Sequence, residues 1–573
     1  MKNAGYLSVL FFYIFFTCYA NAQSNSPLRS HDYFGSPLNI PLQLAANFGE
    51  IRTDHFHMGL DIRTQNKENL PVFAVADGYI SRIKIEKYGY GKAIYITHTS
   101  GYTTLYGHLN TFYPQLEEYV KLKQYADESW EQDFYLSANK FVVRKGQFIA
   151  FSGSTGASQG PHLHFEVYDN ETGNNLNPEL FGFYIPDDIA PKVFGLYWYD
   201  KRYSTYTLPA NQIPIRYKNN EYTSVKKIIE VGSPLISFGI QAEDKNNGSP
   251  FLFGIFQAAL WLDDSLLYAF TLNNFSYEDS RYVNACIDYT KWITTRKRIQ
   301  HLSTLPGNHL PIFSEAGSNG IITLNDTSTH NIKILISDIG GNTSVIHFNI
   351  KYNAALQKNF TYPSNSILCI PNKINQLTGS KSKVKFSELA FYDTVPFMLT
   401  ELPGSESNQV SPFINLHNAS VPVHDDYDIL IKTTLPANNP LRDKTVMQLS
   451  SDTRKYIMKG EWEGDWMQGN FNKLGKIRLL VDTIPPAITI IRWPKDSVFY
   501  ETQNLIIKCT DNLEKIDSFR GEAEGQWLLF SKKGDYFIYK FDGLCPGGKH
   551  ELNITVTDAA GNKTTKIFSF VKQ

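Results

Sequence analysis

Between about residues 37 and 183, apolar and polar positions alternate in short runs broken by glycine-containing turns. Residues 71–80 (PVFAVADGYI) and 93–98 (AIYITH) have the period of two that places every second side chain on one face of a strand. The breaks fall at Asp-Gly, Gly-Tyr-Gly and Ser-Gly, residues that favour tight turns. This pattern predicts an antiparallel barrel-like or sandwich β domain. Residues 115–130 (QLEEYVKLKQYADESW) depart from it, with Leu116, Tyr119 and Val120 spaced for one face of a helix and charges between them. They predict a short amphipathic helix inserted into the β domain.

After Asp187 the pattern stays β-like, and two echoes mark a repeat. Asp188-Ile-Ala-Pro191 resembles Asp482-Thr-Ile-Pro485, and each opens a β run that reaches a tryptophan, Trp198 or Trp493. Asp338-x-x-Gly341-Asn342 resembles Asp558-x-x-Gly561-Asn562, each inside a strand–turn–strand pattern. The expected fold class is therefore all-β. A first β domain over residues 30–187 is followed by immunoglobulin-like sandwiches at 188–353 and 482–573, with a β-rich region of unassigned class at 354–481.

The chain's 573 residues exceed what one core can bury. Its 14% aromatic content supports strands over helices and argues against disorder. The 55 Lys+Arg and 56 Asp+Glu are balanced, so composition gives no nucleic-acid footprint. Lys2, the apolar run 7–19 and Ala20-Asn21-Ala22 read as a secretion signal over residues 1–22. That run is shorter than the ~20 residues of a membrane span, and none of spanning length follows. The mature chain is expected in the periplasm or cell envelope without a membrane span. In that compartment Cys509 and Cys545 could pair as a disulfide or stay as two buried thiols.

Three segments carry the candidate chemistry: His57-Met-Gly-Leu-Asp61, Tyr106-Gly-His108-Leu109 and Gly160-Pro-His162-Leu-His164-Phe-Glu166. His162 and His164 alternate with Leu163 and Phe165, so both imidazoles face one side and the apolar pair faces the core. Such a pair suits zinc, or one ligand beside a catalytic base. His57 and Asp61 add a nitrogen and an oxygen donor, with Gly59 between them expected to permit a tight turn. Three protein ligands plus water is the open arrangement of a catalytic zinc. The candidates outnumber that need, which leaves some histidines for acid–base work. His55 reads as a local packing residue, His98 as structural, and Arg52 as either a substrate contact or a surface ion pair.

The three segments in this order, with the Gly-rich stretch 152–160 (SGSTGASQG), resemble the LytM/lysostaphin-type zinc endopeptidases over roughly residues 48–178. The resemblance implies that His57, Asp61 and His164 hold Zn2+ and that His108 and His162 form the catalytic pair. It further implies a small antiparallel domain with a groove, and hydrolysis of peptidoglycan stem peptides or crosslinks. The alternative function is a non-catalytic LytM-type regulator of cell-wall amidases, a type that has lost metal ligands. Here the full set of three ligands and two histidines is present, which favours the enzyme. A third reading, an envelope adhesin, would make the sandwiches dominant. The segment 113–140 departs from compact members of the family. It is expected to line the groove, or else to pack on the far side against the first sandwich.

Overall fold

The computed structural model describes residues 33–314 and 318–573, and the secretion signal expected at 1–22 lies outside the described residues. Strands dominate throughout, in agreement with the all-β expectation. Among the described residues no helix is long and apolar enough to cross a membrane.

The N-terminal domain is built on β1 (Leu44–Ala46), β2 (Leu60–Arg63), β3 (Pro71–Phe73), β4 (Gly78–Ile85), β5 (Lys92–His98) and β6 (Tyr102–Phe112). Then come α1 (Pro114–Ala126), β7 (Gln132–Tyr135), β8 (Val142–Val143), β9 (Phe148–Ser152), β10 (His162–Asp169) and β11 (Asn175–Leu176). The main sheet runs β1-β2-β10-β6-β5-β4-β7, and every pairing in it is antiparallel. Alternation works as the sequence predicts. Leu60, Ile62, Ile94, Ile96, Leu163 and Phe165 are buried on the inner face, leaving the opposite face of β2, β6 and β10 for polar groups.

This domain does not end cleanly at residue 187. β11 pairs with β10 on one side and with Asn274–Phe275 of the next domain on the other, carrying the sheet across the boundary. Phe48, Phe56 and Met58 belong to the same apolar cluster as Phe275, Tyr282 and Val283. A fragment cut at residue 187 would expose those side chains, so the full chain is the unit to test.

Residues 192–352 form two facing sheets, one around Lys192–Asp200 and Leu235–Glu243, the other around Thr329–Ser337 and Thr343–Tyr352. Two more sheets with their own core occupy 375–481, and a four- and a five-stranded sheet form the C-terminal sandwich. Cys509 and Cys545 are separate buried thiols in that last core, and burial pushes them up to about 12 and about 11.

The inserted helix forms as its pattern predicts, with Leu116, Val120 and Gln124 buried. Its outer face corrects the expected docking. Tyr125 donates to Asp542 at 2.5 Å, Lys121 pairs with Asp542 at 2.9 Å, and Glu128 pairs with Arg520 at 2.7 Å. The helix thus rests against the C-terminal sandwich, not the first one. The strand after it, β7, continues the main sheet beside β4 and brings the exposed Tyr135 to the groove described below. Nothing in the local pattern could disclose a partner more than 390 residues away, because a helix surface records what it needs to bury but not who buries it.

Candidate metal centre

Strand pairing assembles the site. In the β2–β10 register His164 lies opposite Asp61, and in the β6–β10 register it lies opposite Gly107, next to His108. His57 enters from the turn before β2. Gly59 is needed there for a reason other than the expected one. It has no left-handed backbone, but a Cβ on it would stand 2.2 Å from the Phe165 carbonyl oxygen of β10.

Three donor atoms converge. His57 Nε2 is 3.0 Å from Asp61 Oδ1 and 3.1 Å from His164 Nδ1, which is itself 2.9 Å from Asp61 Oδ1. The remaining ring nitrogens fix which atoms carry protons. His57 Nδ1 is 2.7 Å from the Asn47 carbonyl oxygen, a pure acceptor, so Nδ1 carries the hydrogen. His164 Nε2 donates to Glu166 Oε1 at 2.7 Å, and that buried carboxylate also accepts from Tyr90 Oη and from Asn175 Nδ2, each at 2.7 Å. With both rings neutral, the inward nitrogens would therefore present lone pairs to each other and to a carboxylate oxygen. Such a set repels itself unless a cation sits among it, and two imidazoles with one carboxylate are donors that suit zinc.

The electrostatics agree. Burial works against charge on Asp61, yet His57 and the hydrogen bonds from His162 and His164 hold its carboxyl well below the usual range. Burial lowers His57. Burial also works against a charged His164, but its hydrogen bonds to Asp61 and Glu166 outweigh this and push it up to about 9. The pocket thus draws a positive charge onto His164, in the place a metal ion would contest. Asp61 Oδ2 is held by Arg52 at 2.9 Å, and Arg52 lies 3.9 Å from the buried Glu50. The ion-pair reading of Arg52 is thus met, with Asp61 as the partner whose carboxylate it orients.

His108 and His162 stand beside this cluster, their rings 4.6 Å apart. A register shift in β6 just after Tyr106, together with φ of +57° at His108, turns the His108 side chain toward the groove. Its Nδ1 donates to the Thr155 carbonyl at 2.8 Å, leaving the Nε2 lone pair free to face inward. Burial, reinforced by His164 and His162, lowers His108 to about 3, so it stays neutral at working pH. His162 Nδ1 donates to the Gly160 carbonyl at 2.8 Å, and its Nε2 lies 3.3 Å from Asp61 Oδ1. The Gly-rich loop supports both rings. It packs so tightly on the 89–91 turn that a Cβ at Gly156, where φ is +73°, would meet the Gly91 nitrogen at 2.3 Å.

His55 pairs with Asp54 at the exposed rim, and His98 is buried between the Asp77 carbonyl and Thr104. The groove over the site has a volume of about 1410 Å³. One wall comes from the first sandwich, through Phe251, Tyr277 and Arg298. Sequence reasoning missed that wall, as well as Asn47, Tyr90 and Asn175. Glu166 was within reach: it lies two residues after His164 on one strand, hence on the same face.

An antiparallel β domain whose groove gathers two imidazoles and a carboxylate, with two more imidazoles alongside, has the architecture of a metallopeptidase domain. Residues 55–126 and 132–178 match peptidase family M23, so the chain carries a LytM-type M23 domain at its N-terminal end. Residues 367–482, left unassigned by sequence reading, match the Zu5-like domain.

The DD-carboxypeptidase/endopeptidase Mpg of Neisseria meningitidis serogroup B is 37% identical over 128 residues, which are 22% of this chain and 23% of that protein. The peptidoglycan DD-endopeptidase ShyB of Vibrio cholerae serotype O1 is 35% identical over 111 residues, 19% of this chain and 20% of its own length. Both matches thus leave more than three quarters of each relative uncovered. Among solved structures, the catalytic domain of lysostaphin from Staphylococcus simulans is 24% identical, with a TM-score of 0.19. That match covers 24% of this chain and 91% of the other.

Proposed function

We propose that this protein is a zinc-dependent endopeptidase that hydrolyses peptide crosslinks of peptidoglycan in the cell envelope. The observation that carries the reading is the convergence of His57 Nε2, His164 Nδ1 and Asp61 Oδ1, with both outer ring nitrogens already engaged as donors. These three side chains would hold the ion. When bound, zinc supplies Lewis acidity, polarising a carbonyl and lowering the pKa of water to roughly 7.

The chain's own residues do the rest. Glu166, Asn47 and Arg52 orient the three ligands. His108 and His162 each turn an Nε2 lone pair toward the groove, placed to take a proton from water, and the Nε2–H so formed can then donate to a developing oxyanion. Their fixed Nδ1 hydrogen bonds pre-set the ring orientation, so no rearrangement is needed during the reaction.

The test is digestion of defined crosslinked muropeptides by the full chain, followed by mass spectrometry. The expected result is a crosslinked dimer split into two monomers with uptake of one water, abolished by a chelator and restored by zinc. Intact dimers after prolonged incubation with zinc-loaded protein would refute the proposal.

The sandwich wall gives a second expected result. Tyr277 is 60% exposed in the groove rim. Tyr277→Ala should raise KM about fivefold, corresponding to the ~1 kcal/mol of one aromatic contact, with zinc content and kcat unchanged. An unaltered KM would show that the substrate does not reach this wall.

A further inference from the structure

The first and last sandwiches carry the same largely buried acidic cluster at the same place, with one half-buried aspartate in each. Asp187, Asp244 and Asp338 each offer an oxygen atom within 4.8 Å of the others, and so do Asp482, Asp511 and Asp558. In each cluster the first aspartate sits in the linker entering the sandwich, the second just past a strand end, and the third at the start of the Asp-x-x-Gly-Asn turn.

The hydrogen bonds match residue for residue. Asn342 donates from N and Nδ2 to the two carboxyl oxygens of Asp338, at 2.9 and 2.8 Å. Asn562 does the same to Asp558, at 2.8 and 2.9 Å. Ile189 N donates to Asp187 at 3.0 Å, and Ile484 N to Asp482 at 3.1 Å. Ser344 bonds the Pro191 carbonyl and Thr564 the Pro486 carbonyl, each at 2.6 Å. The structural partner of Asp482 is thus Asp187, one residue before the Asp188 that the sequence echo suggests.

Acidic residues close together do not by themselves make a site. What points to a ligand is Asp244: it is 4% exposed, and its Oδ1 has no hydrogen-bond partner among the described residues. Asp511 Oδ1 in the second cluster is likewise buried without a partner. Leaving a buried carboxylate oxygen unpaired is costly, and having it recur at the equivalent position of a second domain calls for a common partner. Burial, followed by the charges of Asp338 and Asp187, pushes Asp244 up to about 8. Burial also raises Asp187, to about 6. A cation would relieve that mutual repulsion. The donors are all oxygen and all hard, with neither imidazole nor thiolate, which selects calcium over zinc. Oxygens bound to one calcium at about 2.4 Å span up to about 4.8 Å, the reach of both clusters.

We propose that Asp187, Asp244 and Asp338 bind one calcium ion, and that Asp482, Asp511 and Asp558 bind a second. Each ion ties the incoming linker to the sandwich that follows. The first fixes the sandwich that supplies Tyr277 and Arg298 to the groove; the second fixes the sandwich that holds α1. The proposal is independent of the metal assignment in the N-terminal domain.

Isothermal titration of the zinc-loaded full chain with calcium chloride tests it. The expected stoichiometry is two per chain, with dissociation constants on the order of 10⁻⁴ M or tighter. It should fall to one in Asp244→Asn and to one in Asp511→Asn. Both changes keep side-chain shape and break no hydrogen bond at the unpartnered oxygen, and circular dichroism checks that each variant is folded. Fewer than two ions in the parent, or two in either variant, overturns the proposal. A thermal scan of the parent decides without any variant: calcium should raise its Tm, and a Tm unmoved by calcium overturns the proposal too.

Discussion

Asp61→Ala is expected to leave the folded chain without bound zinc and without hydrolytic activity. Asp61 Oδ1 is the atom on which His57, His164 and His162 all converge, at 3.0, 2.9 and 3.3 Å. Removing it leaves two inward ring nitrogens 3.1 Å apart, with no negative charge between them to hold a dication. Zinc per chain, measured by mass spectrometry on dialysed protein, should drop from about one to near zero, because an open site has only three protein ligands to begin with. His57→Ala and His164→Ala should do likewise. Full zinc in Asp61→Ala would place the ion elsewhere.

The same geometry fixes a pH dependence. Zinc must displace the proton that the metal-free site holds on His164, whose pKa of about 9 lies above working pH. Below that value each unit fall in pH therefore weakens zinc affinity by about tenfold, and a chelator should strip the protein more easily at pH ~6 than at pH ~8. A chelator midpoint independent of pH would contradict this ligand state.

His108→Ala is expected to behave in the opposite way, keeping zinc at about one per chain while turnover falls about 10²-fold or more. The side chain is aimed by a bulge and a positive φ, a conformation that costs energy for a residue with a Cβ and persists where the surroundings enforce it. Its Nε2 has no assigned partner, whereas its Nδ1 is committed to Thr155. Loss of the ring therefore removes a group that lines the groove and leaves the three converging donors untouched. His162→Ala is expected to give the same pattern. It is the more discriminating variant, because His162 Nε2 lies 3.3 Å from Asp61, one of the three proposed ligands. Retained zinc with lost turnover makes His162 an acid–base or oxyanion group, and lost zinc makes it a fourth ligand.

How much of this was legible in the sequence depended on distance along the chain. Alternation in His162–Glu166 placed two imidazoles on one face and two apolar side chains on the other, and β10 has that arrangement because strand geometry leaves no other option. The helix at 114–126 was legible for the same reason, since its period is local. The roles of Asn47, Tyr90 and Asn175 were not, because each reaches the site from a different element and no spacing encodes the meeting. Gly59 was recognised as necessary but for the wrong cause: a close approach between strands depends on the partner strand, which the local sequence does not contain. The groove wall from Tyr277 and the docking of α1 on Asp542 are contacts across domains, beyond any periodicity. In the sequence, the echo at Asp338 and Asp558 marks only a repeated strand–turn–strand pattern. Only the folded chain shows that it also gathers two further carboxylates.

The most direct test of the central claim is diffraction from crystals of the full chain on both sides of the zinc absorption edge. One anomalous peak is expected in the N-terminal domain, about 2.0–2.2 Å from His57 Nε2, His164 Nδ1 and an Asp61 oxygen. A peak bound instead by His108 or His162 without these three atoms, or no zinc peak in crystals of active protein, would contradict it.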